Sequence, residues 1–212
     1  MRFGKAVLGA GLVLWLAAGV GAEDAAHEQR ALLGPELMLL SNPQVRTDLA
    51  LTPQQIQKID ALTAGFQADA SRKMGGKTDT PTQAQVKSID DEVAAYNREL
   101  GNALTPEQRQ RVRQIQIQMV GNVALLEPTI QKRLGLSPEE TKKIDAAAQG
   151  NVAKVKELRQ KLALGEVKPE AFRTEVGELG RELDRTLGAS VSAETLAKLK
   201  ELGGKPFTGA LH

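Results

Sequence analysis

The sequence predicts an all-α protein in which one helical unit occurs twice in tandem. Three observations carry this prediction: helix-start signals recur along the chain, apolar residues after each start follow helical spacing, and two stretches match when the sequence is shifted by 85 residues. No stretch of useful length shows the alternation of a half-buried strand. We expect about six or seven helices that form antiparallel helical hairpins or a bundle.

The first 22 residues have the features of a secretory signal peptide. Arg2 and Lys5 form a short positive region, and residues 6–20 are uncharged and mostly apolar. A small-residue site of the A-x-A type ends at Ala22, so we expect cleavage after Ala22. The apolar run is shorter than the roughly 20 residues that span a bilayer. We therefore predict export to the periplasm and no integral membrane span in the mature chain.

Composition excludes several classes of protein. The chain has no cysteine, which excludes a disulfide scaffold and a cysteine-based metal site or nucleophile. Aromatic residues make up 3% of the sequence, too few for a platform on which bases stack. Removal of the signal leaves 26 basic and 26 acidic residues, so the mature chain is formally neutral. We predict no nucleic-acid partner.

The internal match defines the domain organisation. Residues 42–61 align with residues 127–146 at a shift of 85, and Leu100–Ile115 aligns with Leu187–Leu202 at a shift of 87. Both matches keep chain order, so one unit of about 85 residues occurs twice. The predicted domains are a first unit with an N-terminal extension (23–126), a second unit (127–203) and a flexible tail (204–212).

One start signal precedes several helices. A Ser or Thr that caps a free N–H is followed by Pro at the first helical position and by Gln or Glu at the third, which predicts a capping box. The signal occurs at Thr52-Pro53, Thr105-Pro106 and Ser137-Pro138, with Gln55, Gln108 and Glu140 at the third position. Thr80-Pro81 has the same form, and Ser192 begins a weaker copy without Pro.

After these starts, apolar residues recur every three or four positions, which favours antiparallel packing. One such stripe contains Ile56, Ile59, Phe66 and Met74, and another contains Ile144, Val155, Leu158 and Leu162. Glycine-containing breaks at residues 74–79 and 164–166 fall between the two longest helices of each unit. We predict a hairpin turn at each break.

A search for chemistry returns no catalytic motif: there is no nucleophile elbow, P-loop, dinucleotide fingerprint or H-E-x-x-H. The two histidines are His27 and His212, near opposite ends of the mature chain. Consecutive acidic residues point to different faces of a helix, so they do not converge on an ion. Asp60 and Asp145 share a repeat position, for which we expect a structural contact. We predict no enzyme activity, no cofactor and no metal site.

Two of the start signals also fit the motif L-T-x-x-Q. The residues are Leu51, Thr52 and Gln55, then Leu104, Thr105 and Gln108. With export and an all-helical pattern, this pair resembles the Spy/CpxP family of periplasmic proteins, most clearly over residues 36–126. The second unit carries a degraded copy at Leu136, Ser137 and Glu140.

The resemblance implies an ATP-independent periplasmic chaperone or an envelope-stress accessory whose partners are unfolded or envelope proteins. Members of that family are helical hairpins that dimerise into a curved, basic cradle. This chain departs from them in carrying two units and in having a neutral mature form. The first departure leaves two states open, a monomeric pseudo-dimer and a homodimer. The second puts client binding through positive charge in doubt.

Three other functions stay open. A structural or scaffolding helical envelope protein without client binding predicts fully buried apolar stripes and a uniformly charged surface. A metal-responsive accessory needs ligands at the mature N-terminus, where Glu23, Asp24, His27 and Glu28 are available. An enzyme needs a polar constellation in a pocket.

Overall fold

The computed structural model describes residues 36–74 and 83–210. Within these ranges every regular element is a helix and none is a strand, so the all-α prediction is confirmed. The predicted signal peptide, the break at residues 75–79 and the start signal at Thr80 lie outside the described residues, as do His27 and His212.

The described helices follow one another with short connections. They are α1 (Glu36–Leu40), α2 (Pro43–Asp48), α3 (Pro53–Met74), α4 (Gln83–Ala103), α5 (Pro106–Val120), a 3-10 helix (Gly121–Leu126), α6 (Pro128–Leu134), α7 (Pro138–Ala163), α8 (Pro169–Ala189) and α9 (Ala193–Leu202). Six of them have ten residues or more. The short helices α1, α2 and α6 are additions to the six or seven predicted, because helices of five to seven residues leave too weak a periodic signal.

The chain forms two compact units, which are described separately. Among the described residues, the first unit contains 36–74, 83–119 and 203–210, and the second contains Val120–Leu202. The predicted boundary between Leu126 and Glu127 therefore falls later than the observed one. The difference arises because the 3-10 helix at Gly121–Leu126 contacts α6, α7 and α8 of the second unit.

The core of the first unit lies between the α3/α4 pair and the short helices before it, since α1 contacts α2, α3 and α4. Its buried residues are Leu37, Leu39, Leu40, Val45, Leu49, Ile59, Leu62, Leu100, Leu104, Val112 and Ile115. Burial of each Leu or Ile stabilises the fold by about 1.5–3 kcal/mol. Phe66 and Tyr96 join α3 to α4 by an edge-to-face contact with ring centroids 5.5 Å apart.

The second unit contains the predicted hairpin, in which α7 and α8 pack together and the chain turns at Leu164-Gly165-Glu166. Val155, Leu158, Phe172 and Val176 form a buried cluster along it. At the same hairpin Asn151 is buried, and its side-chain amide donates to the carbonyl of Leu179 at 3.0 Å.

None of the helices in the described ranges combines the length and the hydropathy required to cross a bilayer.

Candidate functional site

The two L-T-x-x-Q motifs form the capping boxes that the sequence predicts. The Gln55 main-chain N–H donates to Thr52 Oγ1 at 3.2 Å, and the Thr52 N–H donates to Gln55 Oε1 at 3.0 Å. The second motif makes the same two bonds: the Gln108 N–H donates to Thr105 Oγ1 at 3.2 Å, and the Thr105 N–H donates to Gln108 Oε1 at 3.0 Å. Each box satisfies two N–H groups that a helix start would otherwise leave without a partner.

The structure also brings the two glutamines together. Gln55 Nε2 donates to Gln108 Oε1 at 2.7 Å and to the Ala103 carbonyl at 2.9 Å. Gln108 Nε2 donates to the Leu49 carbonyl at 3.2 Å and to Gln55 Oε1 at 3.3 Å. The first turns of α3 and α5 are therefore hydrogen-bonded to each other. They are also bonded to main-chain carbonyls just before those helices, at Leu49 and Ala103. We call this arrangement the glutamine tie.

The second unit makes a corresponding tie from a carboxylate. Glu140 Oε2 accepts from the Ser137 N–H at 3.0 Å, while Glu140 Oε1 accepts from the Ser192 N–H at 3.1 Å and lies 3.3 Å from Thr195 Oγ1. Ser137 caps α7, and Ser192 Oγ accepts from the Thr195 N–H at the start of α9 at 3.1 Å. We call this arrangement the glutamate tie.

Hydrogen bonding controls the charge of the glutamate tie. The Ser137 N–H and then the Ser192 N–H stabilise the ionised carboxylate and lower the pKa of Glu140 from 4.5 to about 2. A carboxyl group with this pKa is ionised at neutral pH and accepts hydrogen bonds only. It is poorly matched to general acid–base chemistry, which needs a pKa near the working pH.

The position shared by Asp60 and Asp145 has a structural contact in the first unit, as expected. Asp60 forms an ion pair with Arg46 of α2, whose Nε donates to the Leu40 carbonyl at 2.6 Å. At the positions 85 residues later, Gln131 Nε2 donates to the Leu125 carbonyl at 2.8 Å. In both units, therefore, a side chain of the short helix, α2 or α6, donates a hydrogen bond to a main-chain carbonyl that precedes that helix.

Residues 204–210, which belong to the segment that the sequence predicts as a flexible tail, form hydrogen bonds with the first unit. Gln118 Nε2 donates to the carbonyls of Gly203 and of Lys205, the latter at 2.8 Å, and Gln118 Oε1 accepts from the Phe207 N–H at 2.7 Å. Arg111 Nη1 also donates to the Lys205 carbonyl, at 2.6 Å. Side chains of α5 therefore bind the main chain of the tail.

The far end of the tail is held in the same way. Asn42 Nδ2 donates to the Ala210 carbonyl at 2.8 Å, and Gln44 Oε1 accepts from the Ala210 N–H. Between these contacts, Phe207 packs against the buried core of the first unit. We call the surface formed by Asn42, Gln44, Arg111 and Gln118 the tail-binding surface.

An ion pair fixes one edge of this surface. Arg111 Nε donates to Asp48 Oδ2 at 2.6 Å, and Nη2 donates to Asp48 Oδ1 at 3.1 Å. The bidentate contact holds the guanidinium in a plane and leaves Nη1 for the Lys205 carbonyl. It also lowers the pKa of Asp48, chiefly through the hydrogen bond from Arg111.

The α7/α8 hairpin carries an open groove of about 250 Å³ whose lining is mainly charged. Lys154 and Glu182 form an ion pair across it at 2.8 Å, and Glu157 pairs with Lys161 at 2.7 Å. Among the described residues, Leu164 at the hairpin turn is the exposed large hydrophobic side chain, with 73% of its surface accessible. The part of the chain that the structure describes contains no group of three or more side chains suited to a metal ion.

The sequence-predicted site residues fall in two places. Gln55 and Gln108 meet in the first unit, where Leu104 is buried and Leu51 packs against the core. Ser137 and Glu140 lie in the second unit, beside a partly buried Leu136. The sequence reasoning missed the tail-binding surface. One signal was present: Phe207 is one of only four aromatic residues beyond the predicted signal, and the other three lie in helices.

No protein-family model, curated protein or solved structure matches the chain.

Proposed function

We propose that the mature chain is an exported, non-enzymatic binding protein that holds non-helical polypeptide, in the manner of an ATP-independent periplasmic chaperone or envelope-stress accessory of the Spy/CpxP type. One observation carries the proposal. Side chains of the first unit bind five main-chain groups of a non-helical segment, namely the carbonyls of Gly203, Lys205 and Ala210 and the N–H groups of Phe207 and Ala210.

Main-chain recognition suits a protein that binds many partners. Carbonyl and N–H groups occur in every polypeptide, so side chains that bind them give affinity with little dependence on sequence. The donors and acceptors on the surface are two glutamines, an asparagine and an arginine already paired with Asp48. This chemistry needs no excess of positive charge, which fits the neutral composition of the mature chain.

The test is suppression of client aggregation without ATP. Residues 23–212 are mixed with a chemically denatured client, and light scattering is followed against an unrelated helical protein of equal mass. The proposal predicts suppression near one-to-one stoichiometry that changes little between low and high salt, because the binding groups are largely neutral. Glu166→Gln, which changes an exposed residue of the α7/α8 turn outside the tail-binding surface, is the control variant. It should suppress aggregation as well as the unmodified chain does. No suppression by the unmodified chain over several clients would contradict the proposal.

A structural or scaffolding helical protein of the envelope is the second candidate. It is favoured by the second unit, whose hairpin stripe is buried at Val155, Leu158 and Val176 and whose charged flanks are paired. Under this function the mature chain leaves client aggregation unchanged. Its removal from cells would instead alter the mechanical or osmotic tolerance of the envelope.

A further inference from the structure

The contacts of the tail indicate which other polypeptide segments fit the tail-binding surface. The hydrogen bonds run from side chains of the surface to the main chain of the tail, so they do not select the tail's sequence. Selection comes from two other contacts: Phe207 packs on the core, and Gly209 lies where an added Cβ would be 2.9 Å from Gln44 Cβ and would collide with the Phe207 ring.

We infer that the tail-binding surface is a peptide-binding site for non-helical segments of other proteins that carry an aromatic anchor followed two residues later by glycine, and that the chain's own residues 203–210 occupy it as a built-in competitor. This inference rests on the proposed function and assigns its site. The aromatic ring fills the position of Phe207, and the glycine permits the close approach to Gln44.

The tail also sets the conditions for binding. A tethered segment acts at an effective concentration that reaches millimolar values for short flexible linkers. A partner therefore has to displace the tail, and its apparent affinity is reduced by the fraction of molecules whose surface is open. Gly203 and Gly204 connect the end of α9 to the rest of the tail. Gly204 has φ +62°, a left-handed conformation that favours glycine. The tail can leave without any break in the helices, because it begins after Leu202 of α9.

The experiment opens the site in the intact mature chain and offers the missing segment as a peptide. The probe is a fluorescent peptide with the sequence of residues 203–212, and its binding is followed by anisotropy. Phe207→Ala removes the anchor of the tethered tail, and Gly209→Val displaces the tail by collision while Phe207 is kept. We expect both variants to bind the probe at least about tenfold more tightly than the unmodified chain.

Two controls assign the binding to this surface. A probe with alanine at the position of Phe207 should not bind either variant, because it lacks the ring that packs on the core. Addition of Gln118→Ala to Phe207→Ala should also abolish binding, since Gln118 makes three of the main-chain contacts. Circular dichroism confirms that each variant is folded before it is titrated.

The outcomes separate this site from the proposed function. If neither folded variant binds the probe, the inference is overturned even if the unmodified chain suppresses aggregation. If both variants bind but no form suppresses aggregation, the site stands and the proposed function fails. If the unmodified chain is a dimer that Gly209→Val converts to a monomer, the surface belongs to the tail of a second copy, and the inference is overturned.

Discussion

The two units tie their helix starts with different chemistry. In the first unit, Gln55 and Gln108 each donate and accept, so the glutamine tie is neutral and reciprocal. In the second, Glu140 alone accepts from both starts, and the position aligned with Gln108 is Thr195. The residue at the third helical position thus accepts a hydrogen bond from the N-cap of its own helix and also forms a hydrogen bond at the start of a second helix. The long-range partner decides whether an amide or a carboxylate fits.

Replacement of the glutamine by glutamate in the first unit, and of the glutamate by glutamine in the second, should break each tie. The largest effect is expected for Gln55→Glu. The carboxylate loses the N–H groups that Gln55 donates to Gln108 Oε1 and to the Ala103 carbonyl, and it places a charge against those oxygens. We expect a loss of about 2–3 kcal/mol in the free energy of unfolding of the first unit. Hydrogen exchange of α3 measures this loss. Gln54→Glu, an exposed change in the same turn, is the control, and an equal effect of the two substitutions would refute the tie.

The reverse exchange, Glu140→Gln, should cost the second unit about 2 kcal/mol at neutral pH. An amide nitrogen cannot accept from either the Ser137 or the Ser192 N–H, so one start loses its acceptor. Hydrogen exchange of α7 and denaturant unfolding at pH 7 measure the loss. The control is Glu139→Gln, which alters only an exposed pair with Lys143.

The effect of Glu140→Gln should also depend on pH. The folded pKa of about 2 lies below the unfolded value of 4.5, so the ionised carboxylate contributes stability that is fully present above pH 4.5. This contribution is lost as the pH falls through about 2. The stability difference between the unmodified chain and the variant should therefore shrink between these pH values. A difference that stays constant would contradict the ionic tie.

A smaller difference between the units lies just before each tie. Ala50 has φ 48°, and Gly135 at the aligned position has φ 67°. A left-handed alanine is strained, so Ala50→Gly should stabilise the first unit and Gly135→Ala should destabilise the second, each by about 1 kcal/mol. An added Cβ at Gly135 meets no atom within 4 Å, so the effect there is conformational. Thermal unfolding of both variants gives the sign of each change in stability. Two changes of the same sign would contradict the prediction.

The smallest effect is expected at the hairpin of the second unit. Lys154 and Glu182 are each about half exposed, so Lys154→Gln should change the stability at physiological salt by less than any of the substitutions above. The change should vanish near 1 M salt, where the charges are screened. A loss as large as the one expected for Glu140→Gln, measured by denaturant titration, would show that this pair contributes as much as the ties do.

Sequence reasoning reached the local half of each tie and missed the long-range half. The boxes at Thr52, Thr105 and Ser137 follow from residues three positions apart, so a pattern predicts them. The bond between Gln55 and Gln108 joins residues 53 positions apart. Helical periodicity indicates which face is buried, but it does not indicate which helix start meets which.

The tail shows the same limit. Gly203, Gly204 and Pro206 are typical of a break, and the sequence therefore predicts a flexible end. The contacts that hold the segment join side chains to main-chain groups, which leave no pattern in the sequence. Phe207 was the available signal, because an aromatic residue in a chain so poor in them is expected to be buried.

The most direct test of the comparison is a nuclear magnetic resonance titration of the Glu140 side-chain carboxyl carbon in the folded mature chain. This one carboxylate joins the starts of α7 and α9, and we predict a pKa of about 2 for it. A pKa near the ordinary value of 4.5 would show that the N–H groups of Ser137 and Ser192 do not hold the carboxylate, and the proposed difference between the two units would be contradicted.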